Sequence, residues 1–324
     1  MSNIQLPDTF NAMAITQYGG VEYLQSIEKP LVLPQQSQVL VKVISASVNP
    51  IDVKTRAGLG LVAAKNADKL PMVAGYDCYG VIVAIGDKVN DLCCGDLVTG
   101  MVGFPLDAGC YAQYVLAEDN HLVKVAADTT LDIAGLPLAG LTAYQGLFEF
   151  GNLEAGQTIL ISGAAGGVGQ LAVQLAVLKG ATVIAVASEK NHAMLMALGA
   201  QRVIDYNELS QFENVGKIDL WFDLVGGDAA VSQMALVSHI VSVVTVPTLS
   251  AEKICNMLKP KGTLAQGMLV KPDHVQLTKL VDLVEKGQLR LNISKQLDLS
   301  QASYAHTLVE QGKVSGKIIL TIQH

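Results

Sequence analysis

The sequence predicts an α/β protein, a small β domain joined to a doubly wound parallel sheet, and three observations carry that prediction. Residues 159–169 run from a β-branched strand, Ile159-Leu160-Ile161, through a glycine-rich turn, Ser162-Gly163-Ala164-Ala165-Gly166-Gly167, into a helical pattern. From about residue 130 to 265, strand-sized and helix-sized segments alternate. From about 11 to 125 there are only short alternating apolar runs separated by turn residues. Alternating strands and helices imply right-handed crossovers and a parallel sheet, whereas short period-two runs imply antiparallel strands.

In the N-terminal part the expected strands are 39–44, 80–85, 97–101, 111–116 and 122–125. In the middle part they are 158–162, 182–186, 202–204, 220–224 and 240–246, with helices at 168–179, 189–198 and 228–237. Helix 168–179 places Val168, Leu171, Leu175 and Leu178 inward and Gln170, Gln174 and Lys179 outward. Gly180 stands where a glycine ends a helix. Beyond 265 come a helix at 273–286, a largely helical 297–310 and a strand-like 317–322. No internal repeat is visible.

A chain of 324 residues predicts about two domains. Half the residues are hydrophobic and 16% are charged, with no low-complexity tract. A net charge of -7 leaves no electrostatic footprint for nucleic acid or an anionic membrane. Residues 1–10 carry Asp8 and lack a basic segment followed by an apolar one, so no export signal is expected. No run approaches the length of a membrane span, and the expectation is a soluble, cytoplasmic protein. Cys78, Cys93, Cys94, Cys110 and Cys255 form an odd set without C-x-x-C spacing or histidine neighbours. That argues against a disulfide framework or a structural zinc, and the cysteines read as buried or half-buried free thiols.

The glycine turn reads as a pyrophosphate cradle. Glycines let the backbone approach a dinucleotide, and the N–H groups opening the helix favour its anion. Ala164 replaces the first glycine of the G-x-G-x-x-G pattern, and Ala165, Gly166, Gly167 and Val168 are the candidate cofactor-binding residues. The second strand ends in Val186-Ala187-Ser188-Glu189-Lys190-Asn191, without the terminal acid that accepts hydrogen bonds from the ribose of NAD. Ser188 can donate to a 2′-phosphate and Lys190 can supply charge, which favours NADPH. Ser188 reads equally as a helix N-cap, and Glu189 reaches the ribose if the register slips by one.

Further motifs lie along the chain: Asn49-Pro50-Ile51-Asp52, Pro71-Met72-Val73-Ala74-Gly75-Tyr76-Asp77-Cys78-Tyr79-Gly80-Val81, Gly95-Asp96-Leu97-Val98, Leu136-Pro137-Leu138-Ala139-Gly140-Leu141-Thr142-Ala143, Ala197-Leu198-Gly199-Ala200 and Gly316-Lys317-Ile318. In order and spacing these resemble the zinc-independent branch of the medium-chain dehydrogenase/reductases, the quinone oxidoreductase and zeta-crystallin-like enzymes, over nearly the whole chain. The resemblance implies a GroES-like catalytic domain from 1–128 and 268–324, a Rossmann NADPH-binding domain at 129–267, and an active site in the cleft. Where zinc-bearing relatives carry Gly-His-Glu, this chain reads Gly75-Tyr76-Asp77, and their four-cysteine lobe is missing. No zinc site is therefore expected.

By the same resemblance, Asn49 lies beside the nicotinamide and the substrate oxygen, with Asp52 close by. Lys54 falls where relatives carry tyrosine or lysine and would donate to an enolate or quinol oxygen. Thr142 corresponds to a residue touching the nicotinamide end and Tyr206 to one near the adenosine phosphate. Val225 and Val246 complete the expected cofactor contacts. Each has a plainer reading: a turn residue for Asp52, a solvated charge for Lys54, a helix-terminal hydroxyl for Thr142, aromatic packing for Tyr206. His239 replaces the usual glycine, which bears on the loop at 245–247. Loops 56–69 and 103–109 are expected to shape the substrate pocket.

The implied activity is metal-free hydride transfer from NADPH to a quinone or α,β-unsaturated carbonyl. Such acceptors delocalise the developing charge themselves and need less electrophilic help. Two alternatives stand beside it: a metal-free aldehyde or alcohol reductase, and a catalytically idle NADPH-binding crystallin-like or moonlighting protein. The family and the apolar segment 263–270, which would extend the sheet across a two-fold axis, imply a homodimer.

Overall fold

The structure, a computed structural model, describes residues 6–106 and 109–324. The start of the segment 1–10 and the tip of the loop 103–109 therefore lie outside the described residues. In chain order the first elements are β1 (Thr9–Ile15), β2 (Leu24–Pro30), β3 (Gln38–Val48), α1 (Pro50–Arg56), α2 (Gly60–Lys65), β4 (Met72–Val73) and β5 (Asp77–Ile85). Then come β6 (Leu97–Met101), β7 (Tyr114–Glu118), β8 (Leu122–Lys124) and α3 (Pro137–Tyr144). The middle elements are β9 (Thr158–Ser162), α4 (Gly167–Lys179), β10 (Thr182–Val186), α5 (His192–Ala197), β11 (Arg202–Ile204), β12 (Lys217–Asp223), α6 (Gly227–Leu236), β13 (His239–Thr245), α7 (Thr248–Leu258) and β14 (Leu264–Gly267). Last come α8 (His274–Glu285), β15 (Ile293–Asp298), α9 (Ala302–Glu310) and β16 (Lys317–Thr321). They form two compact units, one running up to Leu138 and resuming at Lys271, the other Ala139–Val270.

The first unit is β-rich. Its larger sheet runs β15-β16-β3-β5-β6-β8, with β7 also paired to β3, and a smaller sheet runs β2-β1-β4. All these pairings are antiparallel except β15 with β16. The inward face of β3 supplies Val39, Val41 and Val43, packed with Ile82, Val98, Val115 and Leu320. β16 thus belongs to this sheet although some 270 residues separate it from β3, pairing Ile318 with Val48.

The second unit is a six-stranded parallel sheet in the order β11-β10-β9-β12-β13-β14. The first strand in sequence, β9, stands in the middle; the chain winds outward one way through β10 and β11, then the other way from β12. Strands buried on both faces read as continuous apolar runs, as β9 and β10 do. Its core includes Leu160, Ile184, Ile204 and Trp221. The Trp221 ring stacks on Phe212 at 6.2 Å, and its indole N–H donates to Ser162 Oγ at 2.7 Å.

Five expectations are corrected. Gln170 and Gln174 do not face outward: both are buried, while Leu178 is exposed. Burial is tolerated because Gln170 Nε2 donates to the Ala165 carbonyl at 2.7 Å and Gln174 Nε2 to the Gln170 carbonyl at 3.0 Å. Residues 297–310 are not helical throughout, because Leu297 and Asp298 still pair with β16. The Asp298 carboxylate then takes the Ser300 N–H, and Gln301 Oε1 takes the Asp298 N–H, which starts the helix. The segment 56–69 is not simply a loop, since it contains α2. Helix 189–198 opens as a 3₁₀ turn and only His192–Ala197 is α-helical. Finally, Cys93 and Cys94 are exposed rather than buried, because they form a surface turn.

Candidate active site

The second unit carries a cradle at the reversal of its strand order. β9 ends at Ser162, Gly163 turns the chain with φ +72°, and α4 begins at Gly167 with Gly166 as its N-cap. No side chain caps this end and its first turn carries no acidic residue. The opening amides, which have no partner inside a helix, are thus left to an outside anion. Gly169 explains the tightness of the turn: a Cβ there would stand 2.3 Å from the Gly163 carbonyl oxygen and 2.6 Å from Ala164 Cα. Ala164 and Gly169 are buried, while Ala165, Gly166, Gly167 and Val168 remain partly open. An uncapped, acid-free helix start at a topological switch point fits a dinucleotide pyrophosphate.

Register brings the other predicted cofactor residues to the same edge. Val186, Ser162, Asp223 and Thr245 stand side by side across β10, β9, β12 and β13. Every loop beyond this row leaves from the carboxyl end of the sheet. Val225 is 49% exposed, Tyr206 47%, and Val246 partly open. The row is braced by the buried Asp223 carboxylate: Oδ1 accepts from the N–H groups of Val225 and Gly226, and Oδ2 from the Thr245 hydroxyl at 2.7 Å. Thr142 is buried within α3.

Ser188 occupies the N-cap position of its 3₁₀ turn without a side-chain cap bond, and its Oγ accepts from Asn191 Nδ2 at 3.1 Å. Lys190 is exposed. One carboxylate that sequence reasoning missed is Asp205, whose Oδ2 takes the Glu189 N–H at 3.1 Å. Bonds from Asn207 and Glu189 hold its pKa below the usual range, so this turn faces a fixed negative charge as well as Lys190. His239 sits at the opposite, amino end of β13, about 20 Å from Thr245 for a strand of this length. It is exposed.

In the first unit, Asn49 and Asp52 lie in a buried polar cluster. The centre is Asp77, wholly buried, whose Oδ2 accepts from Ser47 Oγ at 2.6 Å and Asn49 Nδ2 at 2.8 Å, and whose Oδ1 accepts from the Leu138 N–H at 2.8 Å. Lys317 Nζ donates to Asn49 Oδ1 at 2.5 Å and stands 3.6 Å from Asp77 Oδ2. Burial pulls the Lys317 pKa down and the charges of Asp77 and Asp52 push it back. With Oδ1 bound to an ammonium and Nδ2 to a carboxylate, the Asn49 amide has one orientation, and a single N–H remains to offer elsewhere.

Asp52 is the third residue of α1, and its Oδ2 takes the Asn49 backbone N–H at 2.8 Å, a capping role. Burial pushes its pKa up to about 7 against that bond. Tyr111 bridges from Asp52 Oδ2, at 3.3 Å, to His306 Nε2, at 3.4 Å, and burial carries His306 down to about 3. Lys54 is half-buried with its pKa lowered by burial, and among the described residues no ion pair holds its ammonium. Lys317 and Asp77 as cluster members escaped sequence reasoning, although a lysine opening the apolar run Ile318-Ile319-Leu320 was the available signal.

Comparison with known proteins places these features. Residues 35–127 match the model of the alcohol dehydrogenase GroES-like domain, and 198–320 that of a zinc-binding dehydrogenase domain. The chain is 32% identical to a 2-methylene-furan-3-one reductase of Solanum lycopersicum, over 98% of this chain and 81% of that one. Identity to an NADPH-dependent alkenal/one oxidoreductase of Arabidopsis thaliana is also 32%, with the same coverages. The solved quinone oxidoreductase of Coxiella burnetii superposes with a TM-score of 0.92 at 38% identity, over 97% of this chain and 100% of that chain. The chain belongs to the quinone oxidoreductase family of the medium-chain dehydrogenase/reductases. Like its family, this quinone oxidoreductase relative joins a GroES-like unit to a Rossmann-type sheet and is an oxidoreductase with a nicotinamide cofactor.

The matched domain model is described as zinc-binding, and the donor set of this family member does not suit that ion. At Gly75-Tyr76-Asp77 the Tyr76 ring is buried edge-on against Phe104 at 5.0 Å, and both Asp77 oxygens already serve other donors. Among the described residues no three His, Cys, Asp or Glu side chains stand together to hold a metal. Among them, too, no helix is long and apolar enough to cross a membrane.

Proposed function

We propose that this oxidoreductase reduces quinones or α,β-unsaturated carbonyls with NADPH and without zinc. The observation that carries this reading is the state of Asp77. Where zinc-bearing relatives place a metal ligand set, this chain has a carboxylate saturated by four polar neighbours, so the site offers hydrogen bonds instead of a Lewis acid. A conjugated acceptor suits such a site because it spreads the incoming charge onto its own oxygen. The names of the relatives, a furanone reductase, an alkenal/one oxidoreductase and a quinone oxidoreductase, support the same substrate class.

Bound nicotinamide supplies hydride from its C4. Ala165–Val168 would hold the pyrophosphate at the start of α4, with Val225, Val246, Thr142 and Tyr206 along the dinucleotide. Ser188 and Lys190 would hold the 2′-phosphate. Asn49, fixed by Lys317 and Asp77, would present its remaining Nδ2 hydrogen to the acceptor oxygen. Lys54 Nζ would hold the proton that this oxygen takes, its pKa already lowered by burial. Asp52 would support Asn49 through the backbone.

The test is reduction with 4-deuterated NADPH and product analysis. Deuterium on the conjugated carbon, or hydroquinone formation, is expected; deuterium on a carbinol carbon establishes simple carbonyl reduction instead. Asn49→Ala and Lys54→Ala should each slow turnover by roughly 10²–10³-fold, and full activity in both removes them from the mechanism. Lys190→Ala should weaken NADPH about ten- to a hundredfold while sparing NADH. Equal weakening of both cofactors defeats the phosphate assignment.

A further inference from the structure

Three buried side chains beneath Asn49 form a line that is bonded in the middle and unpartnered at both ends. The Tyr111 hydroxyl donates to Asp52 Oδ2 at 3.3 Å and meets His306 Nε2 at 3.4 Å. Asp52 Oδ2 also accepts the Asn49 N–H at 2.8 Å. The second polar atom of each end group, Asp52 Oδ1 and His306 Nδ1, is buried with no hydrogen-bond partner among the described residues. Buried polar atoms without partners are costly and rare. Two of them, one at each end of a single bonded line, call for a role.

The chemistry of the three groups suits transit of a proton. A neutral imidazole takes a proton on one nitrogen as it gives one from the other, a hydroxyl donates and accepts at one oxygen, and a carboxyl receives on one oxygen and releases from the other. Burial and the positive charge of Arg56 hold the His306 pKa down to about 3, so the ring stays neutral. Burial and the charges of Asp52, Asp77 and Cys110 keep Tyr111 a phenol. Asp52 faces Asp77 and Lys317 as well as Tyr111, and burial lifts it to about 7, so it changes charge near neutrality. The outer end of the line leads toward solvent. Asp52, Thr55 and Arg56 share one face of α1, His306 and Glu310 share one face of α9, and the Arg56–Glu310 ion pair joins the two. Thr55 Oγ1, Arg56 Nε and Arg56 Nη1 are again buried without partners among the described residues, while the Glu310 side chain is 40% exposed. Polar atoms in such a seam are satisfied by buried water.

We propose that His306, Tyr111 and Asp52 form a proton line from the seam between α1 and α9 to the Asn49 site, supplying the proton that each reduction consumes; this rests on the reading that the chain reduces a conjugated acceptor. One proton enters at His306 Nδ1 while Nε2 gives its own to the Tyr111 oxygen. The hydroxyl proton moves to Asp52 Oδ2, and a proton leaves Oδ1 for the oxygen that Asn49 holds. Every N–H or O–H bond that breaks is replaced by one that forms, so only Asp52 alternates in charge. No electrons move along the line; those come from NADPH as hydride. Contacts of 3.3 and 3.4 Å are those of a resting line, and such bonds shorten in the working complex. Tyr111 and His306 act through Asp52 and touch neither substrate nor cofactor.

One arm of the experiment needs no turnover. In the full chain carrying isotope-labelled histidine, ring-nitrogen chemical shifts report which nitrogen of His306 bears the hydrogen, and His306→Gln assigns the signal. The hydrogen is expected on Nε2 above a pH of about 7, where ionised Asp52 takes the Tyr111 hydroxyl, and to shift toward Nδ1 below it. Tyr111→Phe should abolish this dependence. A tautomer that stays on one nitrogen throughout overturns the proposal, because a line that cannot reverse cannot carry protons. The second arm reduces crotonaldehyde and benzoquinone with NADPH. In Tyr111→Phe and in His306→Gln, which keeps an N–H for Tyr111 but passes no proton, turnover should fall roughly 10²-fold. The isotope effect of heavy water on kcat should rise and that of 4-deuterated NADPH should fade, since proton supply becomes the slow step. Slower turnover with the full deuteride effect reports only a displaced Asn49 and refutes the line, as does wild-type turnover in both variants. A wild-type chain that switches tautomer yet reduces neither acceptor counts against the proposed activity and leaves the proton line standing.

Discussion

Replacing Lys317 by methionine isolates what the buried ammonium contributes. Methionine fills similar space in β16 but donates nothing, so Asn49 Oδ1 loses its 2.5 Å donor and the buried Asp77 loses the cation 3.6 Å away. Removing one member of a buried ion pair costs about 3–5 kcal/mol, and a buried acceptor left without a partner costs about 1–3 kcal/mol. Three donors to Asp77 survive, from Ser47, Asn49 and Leu138. The loss of stability should therefore sit near the lower end of their sum, about 4–5 kcal/mol in all, or a fall in Tm of roughly 8–20 °C for a unit of this size. There is also a catalytic signature. Without Lys317 the Asn49 amide can turn over, so kcat should fall in variant protein that is still folded, while NADPH affinity stays the same. Scanning calorimetry, steady-state kinetics and a cofactor titration read the three quantities separately. An unchanged Tm with unchanged kcat would falsify the account of the cluster, and a lost NADPH affinity would show that Lys317 acts on the second unit instead.

Gly169→Ala should disturb the cradle, since its Cβ meets backbone at 2.3 Å and 2.6 Å; overpacking of this kind costs about 1–3 kcal/mol, and NADPH titration should show roughly tenfold weaker binding or worse, equal affinity refuting the close approach. Asp52 has a native pKa raised to about 7 from 3.8, so the folded state holds more protons and stability falls as pH rises from about 4 to about 7. Asp52→Asn should remove that falling limb in pH-dependent denaturation, leaving the opposite rise from His306, whose pKa is depressed to about 3; parallel curves for wild type and variant would rule the assignment out. Leu264, 73% exposed on the edge strand β14, is expected at a two-fold sheet contact. Leu264→Lys should shift a dimer to monomer in sedimentation, and a wild-type monomer at every concentration would dismiss the dimer.

Where hydrophobic pattern alone decides, the sequence was readable. Strands 97–101, 158–162, 182–186 and 202–204 have the residues expected. These are short, mostly apolar runs bounded by glycine or turn residues. The amide side chains of α4 misled because polarity was read as exposure, whereas Gln170 and Gln174 satisfy themselves on nearby carbonyls. The polar cluster was only half visible. Asn49 and Asp52 share a short motif, but their ties to Asp77 and Lys317 span 28 and 268 residues. Local spacing carries no trace of such ties. Tyr111 and His306 were missed for the same reason, since neither lies near α1 in sequence.

The wide spacing of Asn49, Asp77 and Lys317 also sets an order of assembly. A ribosome releases Asn49 and Asp77 early, then the whole of the second unit, which is continuous in sequence and can close its sheet as it emerges. Lys317 arrives only with β16, which must slide in beside β3 after α9 has been made. Until then the edge of β3 is unpaired where β16 belongs, and the Asp77 carboxylate has no cation to justify its burial. The half of the molecule that begins the chain is thus the last to become native, and its newest strand brings the charge that fixes the Asn49 amide. In a nascent chain, binding of the nicotinamide cofactor should precede completion of the Asn49 cluster.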